Sequence, residues 1–184
     1  NETKYLNQEK ISKLRRATKT AKENAIKENK TVPVRDWFMV ELGLFAGLRV
    51  EEMVNQKVPE LYLQERPPFL VTKGKGDKTR TVYLSDAFRK TCLFYLEWKM
   101  KTFPPSDYLF IKKNGKRLTK RALQKSFKKC LRIAGLDSHY SIHCLRHTYG
   151  SFLYKSSGHN LRFVQEQLGH SNVRTTQVYT GVMD

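Results

Sequence analysis

The chain has 184 residues, 39% of them hydrophobic and 11% aromatic, which suits one domain with a real core and excludes a disordered chain. Its 35 Lys and Arg against 17 Asp and Glu leave a formal net charge of +18, which implies a polyanionic partner. Nucleic acid is favoured over an anionic membrane surface, because no long basic amphipathic helix or lipidation signal is present, and the most apolar window, residues 37–48, is too short to span a bilayer and carries Glu41.

Along the chain, residues 9–29 are polar and helix-prone, with Ile11, Leu14, Thr18, Ala21 and Ala25 as a thin apolar stripe. Pro33 fits the first turn of a second helix that runs to about Ala46 and stops at Gly47. After Glu51 and Glu52 the pattern changes to short segments. Residues 61–63, 69–72 and 79–84 are predicted strands, the last two joined as a hairpin through "KGKGDK". Asp86 is the expected cap of a helix reaching about Lys101. Beyond Pro104 and Pro105, further helices are expected over 119–134, 141–157 and from Asn160 to Leu168, stopped by Gly135, Gly158 and Gly169. The fold class is α+β, mostly helical, with one small antiparallel sheet. Cys92, Cys130 and Cys144 are odd in number, scattered and without a CxxC pair, so they read as reduced thiols of a cytosolic protein. A start on Asn1 without Met fits an excised fragment of a longer protein.

The positive charge is concentrated. Between Tyr108 and Leu136 there are ten basic residues and no acidic one. In the helix beginning near Thr119, Leu123, Phe127, Cys130 and Ala134 form a buried stripe, while Arg121, Lys125, Lys128 and Arg132 repeat at the same spacing on another face. A solvated face normally mixes charge signs, so this one-sign stripe reads as a surface that tracks phosphates.

Candidate chemistry lies elsewhere in the chain. In "SIHCLRHTYG", His143 and Arg146 are three apart on one helical face, and His143 sits in the first turn, where an anion is favoured. The pair alone also fits an ordinary polar helix side. His143 and His147 have the spacing of a zinc pair, but Cys144 stands where a metalloprotease needs Glu, and Arg146 would repel the metal. No metal site is expected. Arg49, just past an apolar helix, precedes Glu52 by three residues, either as a plain ion pair or with Glu52 orienting the arginine toward an anion. In "TKGKGDKTR", Lys75 sits between two glycines at the hairpin tip, flanked by Lys73 and Lys78; it is a basic turn or a lysine able to reach into a groove. "LGH" puts His170 directly after a helix-stopping glycine, and Tyr179 follows nine residues later.

Taken in order, Arg49, Lys75, His143-x-x-Arg146, His170 after Leu-Gly, and Tyr179 resemble the catalytic domain of the tyrosine recombinase (phage integrase) family. All six positions of that pattern match, and the resemblance covers about residues 35–181. It implies a mostly helical catalytic domain in which Tyr179 attacks a DNA phosphodiester, leaving a 3′-phosphotyrosyl link and a free 5′-hydroxyl. It further implies that Arg49 and Arg146 meet the developing phosphoryl charge and that His170 adds a hydrogen bond to a non-bridging oxygen. His143 would exchange a proton with the phenol, Lys75 would protonate the leaving oxygen, and Glu52 would support Arg49. Lys73, Lys78, Arg121, Lys125, Lys128 and Arg132 are then candidate DNA contacts. Neither a metal nor a nucleotide cofactor is implied.

Two departures stand out. The family often carries a smaller residue before the glutamate of "RVEEM", and the chain ends five residues after Tyr179. Residues 1–184 are therefore expected to be a single catalytic domain, without the core-binding domain that completes the family's clamp on DNA. The implied partner is double-stranded DNA, bound by a tetramer on paired sites in the full-length protein and by a monomer as this fragment, in the cytoplasm at the nucleoid. The alternatives are a type IB topoisomerase-like enzyme, a DNA-binding regulator without catalysis, and a metal-dependent nuclease, for which no acidic cluster is found.

Overall fold

Helix α2 (Val32–Ala46) is the element around which the others are arranged in the computed structural model, which describes residues 4–169. Its sequence, apolar on nearly every side, leaves no solvent face, so Phe38, Met39, Val40 and Leu42 are all fully buried. Pro33 occupies the first turn, where its missing N–H costs nothing. The helix ends at Gly47, whose φ of 66° is left-handed; a Cβ there would stand 2.1 Å from the Tyr149 ring, so only glycine fits.

Helix α1 (Gln8–Lys27) is capped by the Asn7 side chain, which accepts from the Lys10 N–H at 2.9 Å. It buries Ile11, Leu14, Thr18 and Ala25, the expected stripe apart from Ala21, which is half-buried. Arg15 meets buried Glu41 with two 3.0 Å hydrogen bonds, a forked pair that ties α1 to α2.

The first difference from the sequence expectation follows Gly47. Residues Val50–Asn55 form a short helix, α3, where the sequence reading placed no element and expected only a change to short segments after Glu52. Glu52 is its third residue, and its Oε1 accepts from the Arg49 N–H at 2.8 Å, half of a capping box. That signal is present in "RVEE", but six residues are too few to show helical periodicity.

The sheet is antiparallel in the order β1 (Leu61–Tyr62), β2 (Phe69–Lys73), β3 (Thr79–Tyr83), with Leu70 opposite Val82 and Thr72 opposite Arg80. The β2–β3 hairpin forms as expected. Its tip is a 3₁₀ turn over Lys75–Asp77, closed by the Gly74 N–H to the Lys78 carbonyl at 2.8 Å.

Helix α4 (Asp86–Thr102) corrects a second expectation: its cap is Ser85, whose hydroxyl accepts from the Phe88 N–H at 3.1 Å. Ser85 is still extended, as a cap must be, and Asp86 is already in the first turn, where its charge suits the helix dipole. Phe38 of α2 stacks on Tyr95 of α4 at 3.9 Å, and the Tyr95 hydroxyl donates to the Leu109 carbonyl. Helix α5 (Lys120–Ile133) is capped by Thr119 and buries Leu123, Phe127 and Cys130. Helix α6 (His143–Ser156) packs on α2, and α7 (Leu161–Leu168), capped by Asn160, lies on α6 and β3. Cys92, Cys130 and Cys144 are free and buried, and burial pushes each thiol up to about 12. Among the described residues no helix is long and apolar enough to cross a membrane.

Candidate functional site

A cleft of about 850 Å³ opens between the start of α3, the β2–β3 hairpin and the end of α7. Arg49, Glu52, Lys73, Lys75 and Lys78 all line it, so five of the sequence-selected residues share one space. Arg49 stands at the start of α3 with its side chain 40% exposed, while Glu52 is 3% exposed beneath it. One Glu52 oxygen takes the Arg49 N–H; the other lies 3.7 Å from the Arg49 guanidinium and pairs with Arg80. The carboxylate is thus flanked by two arginines. Lys75 at the exposed tip is close enough to help hold the Glu51 carboxyl below its usual range, behind the larger effect of Lys120, which donates to Glu51.

His143 and Arg146 are not among the residues lining this cleft. Arg146 is 5% exposed and lies behind it, its guanidinium donating to the Gly47 carbonyl at 2.7 Å and to the Leu168 carbonyl at 2.6 Å. These two carbonyls belong to the ends of α2 and α7, where the helix dipoles are negative and a cation is favoured. Gly47 is two residues before Arg49, and Leu168 adjoins cleft-lining Gly169, so Arg146 braces both sides of the cleft from within.

His143, the first residue of α6, lines a neighbouring cavity of about 450 Å³ with His139, Tyr140 and His147. Burial first, then the charges of Arg146 and Arg49, hold its pKa below the usual imidazole value. His143 is thus within reach of the charges of both Arg146 and Arg49, which favour its neutral form. His147 is shifted in the same direction, chiefly by burial and then by His143. His170 and Tyr179 lie outside the described residues.

The two histidines predict a pH dependence. Their folded pKa values lie below the unfolded value of about 6.5, so the unfolded chain binds protons first on acidification. The stability they contribute is complete above about pH 6.5 and is lost as pH falls toward their folded pKa values. The melting temperature is expected to fall as pH drops below about 6.5, before the ordinary carboxylates protonate, and thermal melts of His147→Asn are expected to show a shallower fall.

Arg80 is a residue that the sequence reading missed. It lies on β3 in phase with buried Val82, and a charge on the core-facing side of a strand demands a partner. That phase was the available signal. On the basic face of α5, Arg121, Lys125 and Arg132 are exposed, but Lys128 donates to the Ser138 and Tyr140 carbonyls at 2.5 and 2.6 Å, holding the turn that leads into α6. Among the described residues no group of three or more His, Cys, Asp or Glu side chains is arranged to hold a metal ion.

The sequence profile described as "Phage integrase family" matches residues 4–184. The tyrosine recombinase XerC of Caldanaerobacter subterraneus subsp. tengcongensis is 39% identical over 152 residues, 82% of this chain and 42% of that protein. The tyrosine recombinase XerC of Proteus mirabilis is 42% identical over 151 residues, 80% of this chain and 47% of that one. The chain thus spans a little under half the length of these relatives. Among solved structures, the XerH site-specific recombinase bound to difH substrate superposes with a TM-score of 0.78 at 31% identity, over 97% of this chain and 50% of that one. XerA recombinase superposes with a TM-score of 0.80 at 28% identity, over 98% and 61%.

Proposed function

The chain belongs to the phage integrase family, and from that premise we propose that it is the catalytic domain of a site-specific tyrosine recombinase that cleaves and rejoins duplex DNA. The observation that carries this reading is the cleft itself. Arg49, braced by buried Glu52, faces the Lys75 hairpin across a space bordered by Gly169, the residue before His170.

The chemistry follows from what each group does to a phosphodiester. Tyr179 attacks phosphorus; the bond to the 5′-oxygen breaks, leaving a 3′-phosphotyrosyl link and a 5′-hydroxyl. A phenol has a pKa near ~10 and needs a proton acceptor at neutral pH, a role suited to His143 with its depressed pKa. Charge gathering on the non-bridging oxygens is met by Arg49 in the cleft, with the buried charge of Arg146 behind it, both of which stay protonated, and by a hydrogen bond from His170. Lys75 returns a proton to the departing 5′-oxygen. The phosphotyrosyl ester retains the bond energy, so religation needs no nucleotide, and the cations around the phosphate do the work a metal would otherwise do.

In the longer protein the same unit acts as a tetramer on paired DNA sites, in the cytoplasm at the nucleoid; as 184 residues it is a monomer. Exposed Arg121, Lys125 and Arg132 on α5, with Lys73 and Lys78 at the hairpin, supply contacts to the DNA backbone. Replacing Arg121, Lys125 and Arg132 by Ala is expected to flatten the log–log salt dependence of duplex binding by roughly one unit per lost contact. Lys128→Ala is expected instead to lower the melting temperature, since its ammonium holds two backbone carbonyls.

The proposal is tested by incubating the chain with a nicked suicide duplex, from which the short 5′-hydroxyl fragment diffuses away. An SDS-resistant protein–DNA adduct, formed equally in EDTA, is the expected result. No adduct at saturating duplex, or one that EDTA removes, would overturn the reading.

A further inference from the structure

Arg80 ties together parts of the chain that no local motif links. On one side it pairs with Glu52, the carboxylate that also receives the Arg49 N–H. On the other its Nε donates to the Gln167 carbonyl, 87 residues away, at 3.1 Å. The side chain is 10% exposed, and Nη2 is buried without a hydrogen-bond partner among the described residues. A buried guanidinium with an unused donor is costly, and its pairing with a buried carboxylate offsets that cost.

The end of α7 rests directly on this side chain. A Cβ on Gly169 would lie 2.5 Å from the Arg80 Cδ, and Gly169 is left-handed at φ 66°. The Gln167 side chain adds a second tie by accepting from the Tyr83 N–H of β3 at 3.1 Å. Successive carbonyls at the end of α7 are thus held by two arginines, Gln167 by Arg80 and Leu168 by Arg146. Both lie at the negative end of the helix dipole. The next residues are Gly169 and then His170.

We propose that Arg80 is a positioning residue: anchored by Glu52, it fixes the C-terminal end of α7 and so sets the origin from which His170 is presented to the scissile phosphate. This rests on the recombinase reading above. A catalytic hydrogen bond depends on placement, and an error near 1 Å can cost on the order of 100-fold in rate. The guanidinium is suited to the task because its fork holds a carboxylate and a carbonyl at once, which a lysine ammonium on a flexible stem does poorly.

The test is a double-mutant cycle on single-turnover adduct formation at saturating nicked suicide duplex. Arg80→Met, which keeps much of the buried stem, is expected to slow adduct formation by roughly 10- to 100-fold while duplex affinity changes by less than about threefold. In a His170→Ala background the same substitution is expected to cost less than about threefold, because the group it positions is already gone. An equal loss in both backgrounds would mean that Arg80 serves stability alone, and would overturn the inference while leaving the recombinase reading in place. Absence of an adduct from the wild-type chain would overturn that reading and this inference with it. Melting curves accompany each variant; if Arg80→Met does not fold, Arg80→Lys, which keeps a cation beside Glu52, carries the same cycle with the same two outcomes.

Discussion

Tyr179→Phe is expected to bind duplex DNA as the wild-type chain does and to form no SDS-resistant adduct at any time or concentration. The substitution removes one oxygen and keeps the ring, so shape and charge at the DNA surface stay the same. What disappears is the only atom that Tyr179 can offer to phosphorus. Neither Arg49 nor Arg146 can stand in, because a guanidinium remains protonated and is not a nucleophile. Binding is followed by mobility shift and the adduct by denaturing electrophoresis of labelled suicide duplex. An adduct from the Phe variant would move the nucleophile to another residue and sink the assignment of Tyr179.

Lys75→Ala is expected to slow cleavage of ordinary DNA by about 10²–10⁴-fold, the range of a well-placed general acid. The alternative role, a contact to a backbone phosphate, gives a different pattern. A 5′-alkoxide is a poor leaving group and needs a proton, whereas a 5′-thiolate does not. With sulfur in place of the bridging 5′-oxygen, Lys75→Ala is therefore expected to cleave at near the wild-type rate. Arg49→Ala is expected to show no such rescue, since its charge serves the non-bridging oxygens of both substrates. Arg49 is a cleaner comparator than Arg146, whose guanidinium also holds the ends of α2 and α7. If sulfur fails to rescue Lys75→Ala at saturating DNA, Lys75 is not the acid and His143 is the next residue to test.

The assignments of His143, Arg146 and Lys128 show where sequence reasoning was sound and where it was short. His143 was placed in the first turn of a helix and is its first residue. His143 and Arg146 do stand near each other, as their spacing implied, since the charge of Arg146 acts on His143, but the sequence did not show what else the guanidinium holds. Arg146 turns inward, to carbonyls 99 and 22 residues away, and reaches His143 by charge across the helix start. Lys128 is similar: spacing puts it on the basic face of α5, yet its ammonium is committed to a turn ten and twelve residues further on.

From the sequence by itself came the order of the elements, most of their boundaries, the hairpin, the basic face of α5 and the family pattern from Arg49 to Tyr179. These are legible because their signals are local: a helical period, a cap, a glycine stop or a run of charge is complete within a few residues. Only the tertiary structure decided that Glu52 is shared by two arginines and that Arg80 reaches from β3 to the end of α7. It alone showed that the Arg146 guanidinium also ties two helix ends together. Each of those partnerships joins backbone segments far apart in the chain. A buried guanidinium takes whichever carbonyls and carboxylates packing brings within reach, and that choice is made by the core that α2 organises, not by neighbours in sequence.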